Sequence, residues 1–174
     1  MNQKSNYIKA LSLITILLWI GSSIIRSTIG FTLFEIKDQF NLRNNIDMHE
    51  LYYTITTYIN ITFYVDLFYI LAFLFITILF LMNSNKLKKT GWLFISIVLF
   101  YLFSIPEIYL ILNDIDLYYY NLHSLNNTIS DGSLHLFKQR YILDIFKIVQ
   151  PMSFLSHLAI AFFMILKPLD KNES

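Results

Sequence analysis

Apolar residues gather into four long runs, Ile8 to Ile25, Thr54 to Met82, Trp92 to Leu112 and Ile148 to Leu166. Each comes close to or exceeds the roughly 20 residues an α-helix needs to cross a hydrocarbon core about 30 Å thick. Within each run a few positions, mostly polar, recur three and four residues apart, the interval that places them on one face of a helix. They are Ser12, Thr15, Trp19, Ser22 and Arg26 on the first, and Thr62, Asp66, Tyr69, Phe73 and Thr77 on the second. The third carries Ser96, Phe100, Ser104 and Glu107, and the fourth Gln150, Ser153, His157 and Ala161. A hydroxyl or amide pointing at lipid has no partner, so such faces turn toward neighbouring helices. The pattern predicts an all-α fold, an integral membrane four-helix bundle with a polar interior, forming one domain over residues 1–174.

The segments between the runs also carry helical signals, so extracytoplasmic helical extensions are expected in 26–53 and 113–147. Asp47, three residues before Glu50, reads as a capping box that opens the second helix near Met48. Ser130, Asp131, Gly132 and Ser133 form a break, after which Leu134, Phe137, Tyr141, Ile145 and Ile148 recur at helical spacing. Phe31 to Phe40 mixes Phe31, Leu33, Phe34, Ile36 and Phe40 with Glu35, Lys37 and Asp38, the pattern of a short helix lying in the membrane interface. Tyr52, Tyr53 and Tyr118 to Tyr120 suit an outer aromatic belt, and Trp92 an inner one.

Composition sharpens the membrane reading. Hydrophobic residues make up 56% of the chain and charged ones 14%, against about 25% charged in an ordinary soluble domain. The first apolar run is long for a signal peptide and no A-x-A-like site follows it, so the first helix is expected to be retained.

Charge then gives an orientation. Lys4, Lys9, Lys86, Lys88, Lys89, Lys167 and Lys171 fall on one side of four spans, opposed there only by Asp170 and Glu173. The other side holds Arg26, Lys37, Arg43, Lys138, Arg140 and Lys147 against eight acidic residues. The positive-inside bias of short loops therefore predicts a cell-membrane protein with both termini cytoplasmic. A net charge of +1 without a basic run offers nothing to a nucleic-acid backbone.

Counting from the cytoplasmic ends, Arg26 lies 16 residues from Ala10, Asp66 16 from Met82, Glu107 15 from Trp92 and Gln150 16 from Leu166. At a rise of about 1.5 Å per residue these four share a level about 24 Å up, in the outer leaflet. A lone charge in a span costs on the order of 2.5–3.5 kcal/mol at the bilayer centre, and an arginine between two carboxylates offsets much of that. Arg26, Asp66 and Glu107, with Gln150, Tyr69 and Ser22 beside them, are thus the candidate ligand or ion site. The structural alternative is an ion-pair lock that holds three helices in register, with Arg26 snorkelling to the interface.

Pro106 and Pro151 adjoin Glu107 and Gln150 and predict kinks in the same layer. His157 lies deeper, where Tyr101 or Trp19 would reach it as an interhelical polar contact. It is the one histidine in any span, which excludes a haem held by two histidines within one chain.

Other chemistry finds little footing. Cysteine is absent, removing disulfides, thiolate ligands and cysteine nucleophiles. His49, His123 and His135 share the outer side with Glu50, Asp114, Asp116 and Asp131, but no metal-ligand spacing such as H-E-x-x-H occurs and no metal or cofactor is expected. The phosphate-binding loop and the nucleophile elbow are missing too.

Three readings follow from the sequence. The leading one is a non-enzymatic bundle that binds a partner or small ligand, its partners being the lipid bilayer and a membrane protein or a second copy of itself. The others are a proton-coupled or solute-transport component acting as an oligomer, and a small membrane enzyme using His157 or the carboxylates as acid and base.

Overall fold

The computed structural model describes residues 3–36, 40–43, 46–87, 90–122, 129–142 and 144–167. Its order is α1 (Gln3–Phe31), a hairpin of β1 (Phe34–Ile36) and β2 (Phe40–Leu42), α2 (Met48–Asn83), α3 (Gly91–Leu122), α4 (Asp131–Ile142) and α5 (Asp144–Leu166). Among the described residues the fold is all-helical apart from that hairpin and the short connections. Helices α1, α2, α3 and the Ile148–Leu166 part of α5 are long and apolar enough to cross a membrane.

The helices form a four-sided bundle in which α1 lies beside α2 and α5, and α3 lies beside α2 and α5. Neighbours run antiparallel. Asn83, at the end of α2, donates to Ser5, near the start of α1, at 3.0 Å. Tyr69 and Thr77 of α2 reach Ser104 and Tyr101 of α3, each at 2.9 Å.

The surface is inverted relative to a water-soluble protein. Leu17, Leu18, Phe63, Ile70, Leu74, Phe94, Leu102, Met152, Leu155 and Phe162 are all exposed, making an apolar belt around the bundle. Polar side chains turn inward, and many satisfy themselves in their own helix. The hydroxyls of Ser12, Thr62, Ser96 and Ser104 donate to the carbonyl four residues back at 2.8–2.9 Å. This back-bonding lets a hydroxyl sit in an apolar interior without a partner from another helix. Much of the polar stripe is accordingly a packing device.

Two apolar cores divide the molecule along its length. The larger one holds Ile16, Trp19, Val65, Tyr69, Ile76, Leu79, Trp92, Phe100, Ile160 and Met164. The second lies beyond it, at the hairpin end, and joins Leu33, Phe34, Ile55, Tyr58, Leu117, Phe137 and Tyr141. This second core explains why α2 runs for 36 residues, about 54 Å: its first turns form one wall of a cap that stands on the bundle.

The cap corrects two expectations. Phe31–Phe40 is not an interfacial helix: α1 continues through Phe31 and the chain then turns into the hairpin, with Phe34 opposite Leu42. Lys37 and Asp38 lie outside the described residues. An interfacial helix would have left Phe34 on lipid, whereas the hairpin stacks its ring 5.7 Å from Phe137 and 5.0 Å from Tyr141. The capping box does not form either. Asp47 precedes α2 without a side-chain capping bond, and Glu50 pairs instead with Arg43 at 2.5 Å. Ser130 does cap α4, accepting from the Ser133 amide at 3.1 Å.

Trp92 is buried among the helices, with the Lys9 ammonium 4.9 Å above its ring. It lies four residues before Ser96 and eight before Phe100, on the inward face of α3.

Candidate functional site

Between the two cores lies a layer of buried charge. Arg26 comes from α1, Asp66 from α2, Glu107 and Asp114 from α3 and Arg140 from α4, and all five are buried. Asp114 is the hub. Arg140 donates to one of its oxygens in a close contact, and Arg26 Nη1 reaches the other at 3.4 Å. Burial works against the Arg140 charge, but the Asp114 carboxylate, together with Tyr58 and Glu107, outweighs it and raises the arginine's pKa. Burial likewise pushes the neighbouring Tyr141 phenol well above its ordinary range, so it stays neutral.

Arg26 was expected to meet Asp66 and Glu107. Its ion pair is with Asp114, two helical turns beyond Glu107, and it extends toward the cap to reach it. Asp66 and Glu107 remain within electrostatic range of both arginines, yet among the described residues neither has a cation at ion-pair distance. Glu107 stands beside Ser153 of α5, whose hydroxyl falls outside hydrogen-bond geometry.

A cavity of about 690 Å³ opens at this layer between α1 and α5. Such a volume is in the range of small-molecule sites. Its walls are Trp19, Ser23, Ile24, Arg26, Ser27, Thr28 and Phe31 of α1, and Gln150, Pro151 and Phe154 of α5. Glu107 forms the back, and Arg140 and Tyr141 form the roof. Ile24, Thr28, Phe31 and Pro151 are exposed and rim it, on the same surface as the apolar belt. The cavity thus opens sideways.

The helices of the α1–α5 seam also carry most of the unsatisfied buried polar atoms among the described residues. The two helices touch far less than α1 and α2 do. Eight buried side-chain atoms lack a hydrogen-bond partner among the described residues, and five belong to these helices: Ser23 Oγ, Arg26 Nε, Ser153 Oγ, Ser156 Oγ and His157 Nε2. Among the described residues the side-chain hydrogen bond across the seam is long, Gln150 Nε2 to Ser27 Oγ at 3.4 Å. Buried polar groups are nearly always satisfied in folded proteins, so a concentration of exceptions marks a place where another molecule or ordered water completes the site. Pro151 withholds one backbone donor from α5 at the same rim.

The remaining predicted residues divide. Ser22 turns out of the cavity and donates to the Leu18 carbonyl at 2.8 Å, leaving its neighbour Ser23 on the inner face. Tyr69 is held by Ser104 beneath the layer and does not line the cavity. Trp19 does line it, and its ring packs at a tilt against His157 with centroids 4.3 Å apart. His157 accordingly lies behind Trp19, inside an aromatic box completed by Phe100 and Tyr69 at 5.4 and 5.8 Å. Its Nδ1 meets the Ser153 carbonyl at 2.8 Å. Tyr101 is committed to Thr77, not His157.

The residues that sequence reasoning missed are Asp114, Arg140 and Tyr141. Asp114 was readable: it lies seven residues beyond Glu107, on the continuation of the α3 stripe. Arg140 was not, because nothing local folds α4 back over the bundle. Among the described residues no group of three or more histidine and carboxylate side chains is placed to hold a metal; His123 lies outside them. Comparison with protein-family models, with curated proteins and with solved structures returns no match.

Proposed function

We propose that this chain is a multi-pass, non-enzymatic protein of the cell membrane, with both termini cytoplasmic and the cap outside, that binds a small molecule in the cavity between α1 and α5. In that orientation the cavity lies in the outer leaflet and its mouth faces lipid. The observation that carries the reading is the coincidence of the 690 Å³ space with unsatisfied buried polar atoms on its own wall, Ser23 Oγ, Arg26 Nε and Arg140 Nε. An ion-pair lock explains Arg26, Asp114 and Arg140 but gives no reason for a space beside them.

Trp19 supplies the test. Trp92→Phe leaves Trp19 as the single tryptophan, and its emission in nanodiscs of unbrominated lipid is titrated with a short-chain brominated amphiphile. Saturable quenching that disappears in Ser27→Phe, whose added ring occupies the cavity, is the expected result. Quenching that rises linearly and equally in both proteins means the amphiphile meets Trp19 only through the bilayer, and the reading falls.

A second reading, a proton-coupled transport component acting as an oligomer, draws on Ser153, Ser156 and His157, unsatisfied atoms that descend α5 from the Glu107 level. Proteoliposome flux indifferent to Glu107→Gln and Asp66→Asn removes it.

A further inference from the structure

Charge bookkeeping at the layer narrows the chemistry of the ligand. Arg26 and Arg140 are anchored on Asp114, and Asp66 stands within electrostatic range of both. Two guanidiniums then face three carboxylates, and of the two that no described arginine pairs, Asp66 and Glu107, it is Glu107 that lines the cavity. It is 4% exposed, it faces the cavity, and no described cation lies at ion-pair distance from it. An uncompensated carboxylate in a low-dielectric place is costly, and a cation brought by the ligand relieves the cost. The groups around it suit an ammonium, because the Gln150 amide oxygen and the Ser23 hydroxyl also accept hydrogen bonds. The rest of the wall is apolar, with Phe154 inside and Ile24 and Phe31 toward the rim, and the mouth lies on the apolar belt.

We infer that the cavity takes a cationic amphiphile, an amine whose ammonium head sits against Glu107 and whose apolar chain leaves between α1 and α5. This rests on the ligand-binding reading above. An anionic head would meet the unsatisfied Nε of Arg26 and of Arg140, but both guanidiniums already share Asp114 and Glu107 repels it. The amine has two sources, a lipid of the surrounding bilayer or a small soluble amine, and chain length separates them.

The experiment uses the full chain carrying Trp92→Phe in phosphatidylcholine nanodiscs, with Trp19 emission as readout. The probes are dodecylamine, dodecanol and dodecanoate, which share a chain and differ in head, and butylamine, which keeps the head and shortens the chain. Dodecylamine is expected to bind at least about tenfold more tightly than dodecanol after correction for partitioning into the bilayer, with dodecanoate weakest. Glu107→Gln is expected to bring dodecylamine down to dodecanol's affinity while leaving dodecanol unchanged. Butylamine binding as tightly as dodecylamine assigns the site to a soluble amine; weaker binding assigns it to a lipid-like one.

Equal affinities for dodecylamine and dodecanol overturn the cationic head while the cavity remains a ligand site. Tightest binding of dodecanoate overturns it in favour of the guanidinium groups. Saturable binding of none of the probes removes the ligand-binding reading and the inference with it. The head-group series is measured on protein with Glu107 intact, so the proposal stays testable even where Glu107→Gln does not fold.

Discussion

Arg140, carried by the short helix of the cap, closes on Asp114, which stands near the far end of α3, 26 positions earlier in the chain. Both side chains are buried, at 6% and 3% exposure. A charged pair in such a place is strongly felt when one partner is removed and weakly felt when both are. Asp114→Asn is therefore expected to destabilise the protein by about 3–5 kcal/mol, because two arginines lose their shared counter-ion. Arg140→Met combined with Asp114→Leu should cost less than the sum of the single changes. Unfolding in mixed micelles, run as a double-mutant cycle, measures the coupling; additive losses would show that the pair does not act as a unit.

The same pair sets a pH dependence. Arg140 has its pKa raised in the folded state by Asp114. A raised pKa adds stability that is fully present below the unfolded value and lost only as pH climbs through the folded one. For arginine that window lies above about 12. Stability is thus expected to show no loss from this pair between about pH 7 and 11. Arg140→Lys should move the onset of loss down toward about pH 10.4 and above, where an unpaired lysine titrates. Thermal unfolding of both proteins across that range checks the difference; parallel profiles would contradict it.

Gly30 is where α1 passes under Tyr141. A Cβ at this position would overlap the Tyr141 ring, and that ring is held by Phe31, Phe34 and Phe137 at centroid distances of 5.0–5.3 Å. The ring has little room to yield. Gly30→Ala should cost about 1–3 kcal/mol by overpacking, and Gly30→Ala with Tyr141→Val should recover most of it. Gly21, with open space around its missing Cβ, is the control: Gly21→Ala should be neutral or slightly stabilising in its helix.

Orientation is open to a direct measurement, since a chain without cysteine needs no background mutations. Asn85 lies in the turn after α2 and His49 in the first turn of α2, and both are exposed. In intact cells His49→Cys should react with a membrane-impermeant maleimide, and Asn85→Cys only after permeabilisation. The opposite pattern would invert the proposed topology.

Much of the bundle was legible because hydrophobic periodicity is a local property. The inward residues Thr62, Asp66, Tyr69, Ser96, Ser104, Glu107 and Ser153 follow from spacing alone. The start of α2 at Met48 was legible for the same reason, although the cap chemistry invoked for it was not what the side chains do. Ser22 against Ser23 shows the limit of resolution: adjacent residues on a helix differ by about 100°, and a face drawn from hydroxyls alone lands one position off. The hairpin and the Asp114–Arg140 contact escaped for a deeper reason. Both depend on α4 folding back over the bundle, an arrangement set by packing between residues more than twenty positions apart. The cavity was illegible altogether, since a gap between two helices leaves no mark in either one.

Tyr141 belongs to two structures at once. On one side it is packed into the aromatic cluster of the cap, and on the other it closes the chamber beside Glu107. A grip on the hairpin or on α4 therefore reaches the chamber through its roof, the Tyr141 ring beside Arg140, with no sliding of the long helices required. Conversely, an occupant that lifts this ring would loosen the cap. Events in the solvent and events among the lipid tails thus share one mechanical joint.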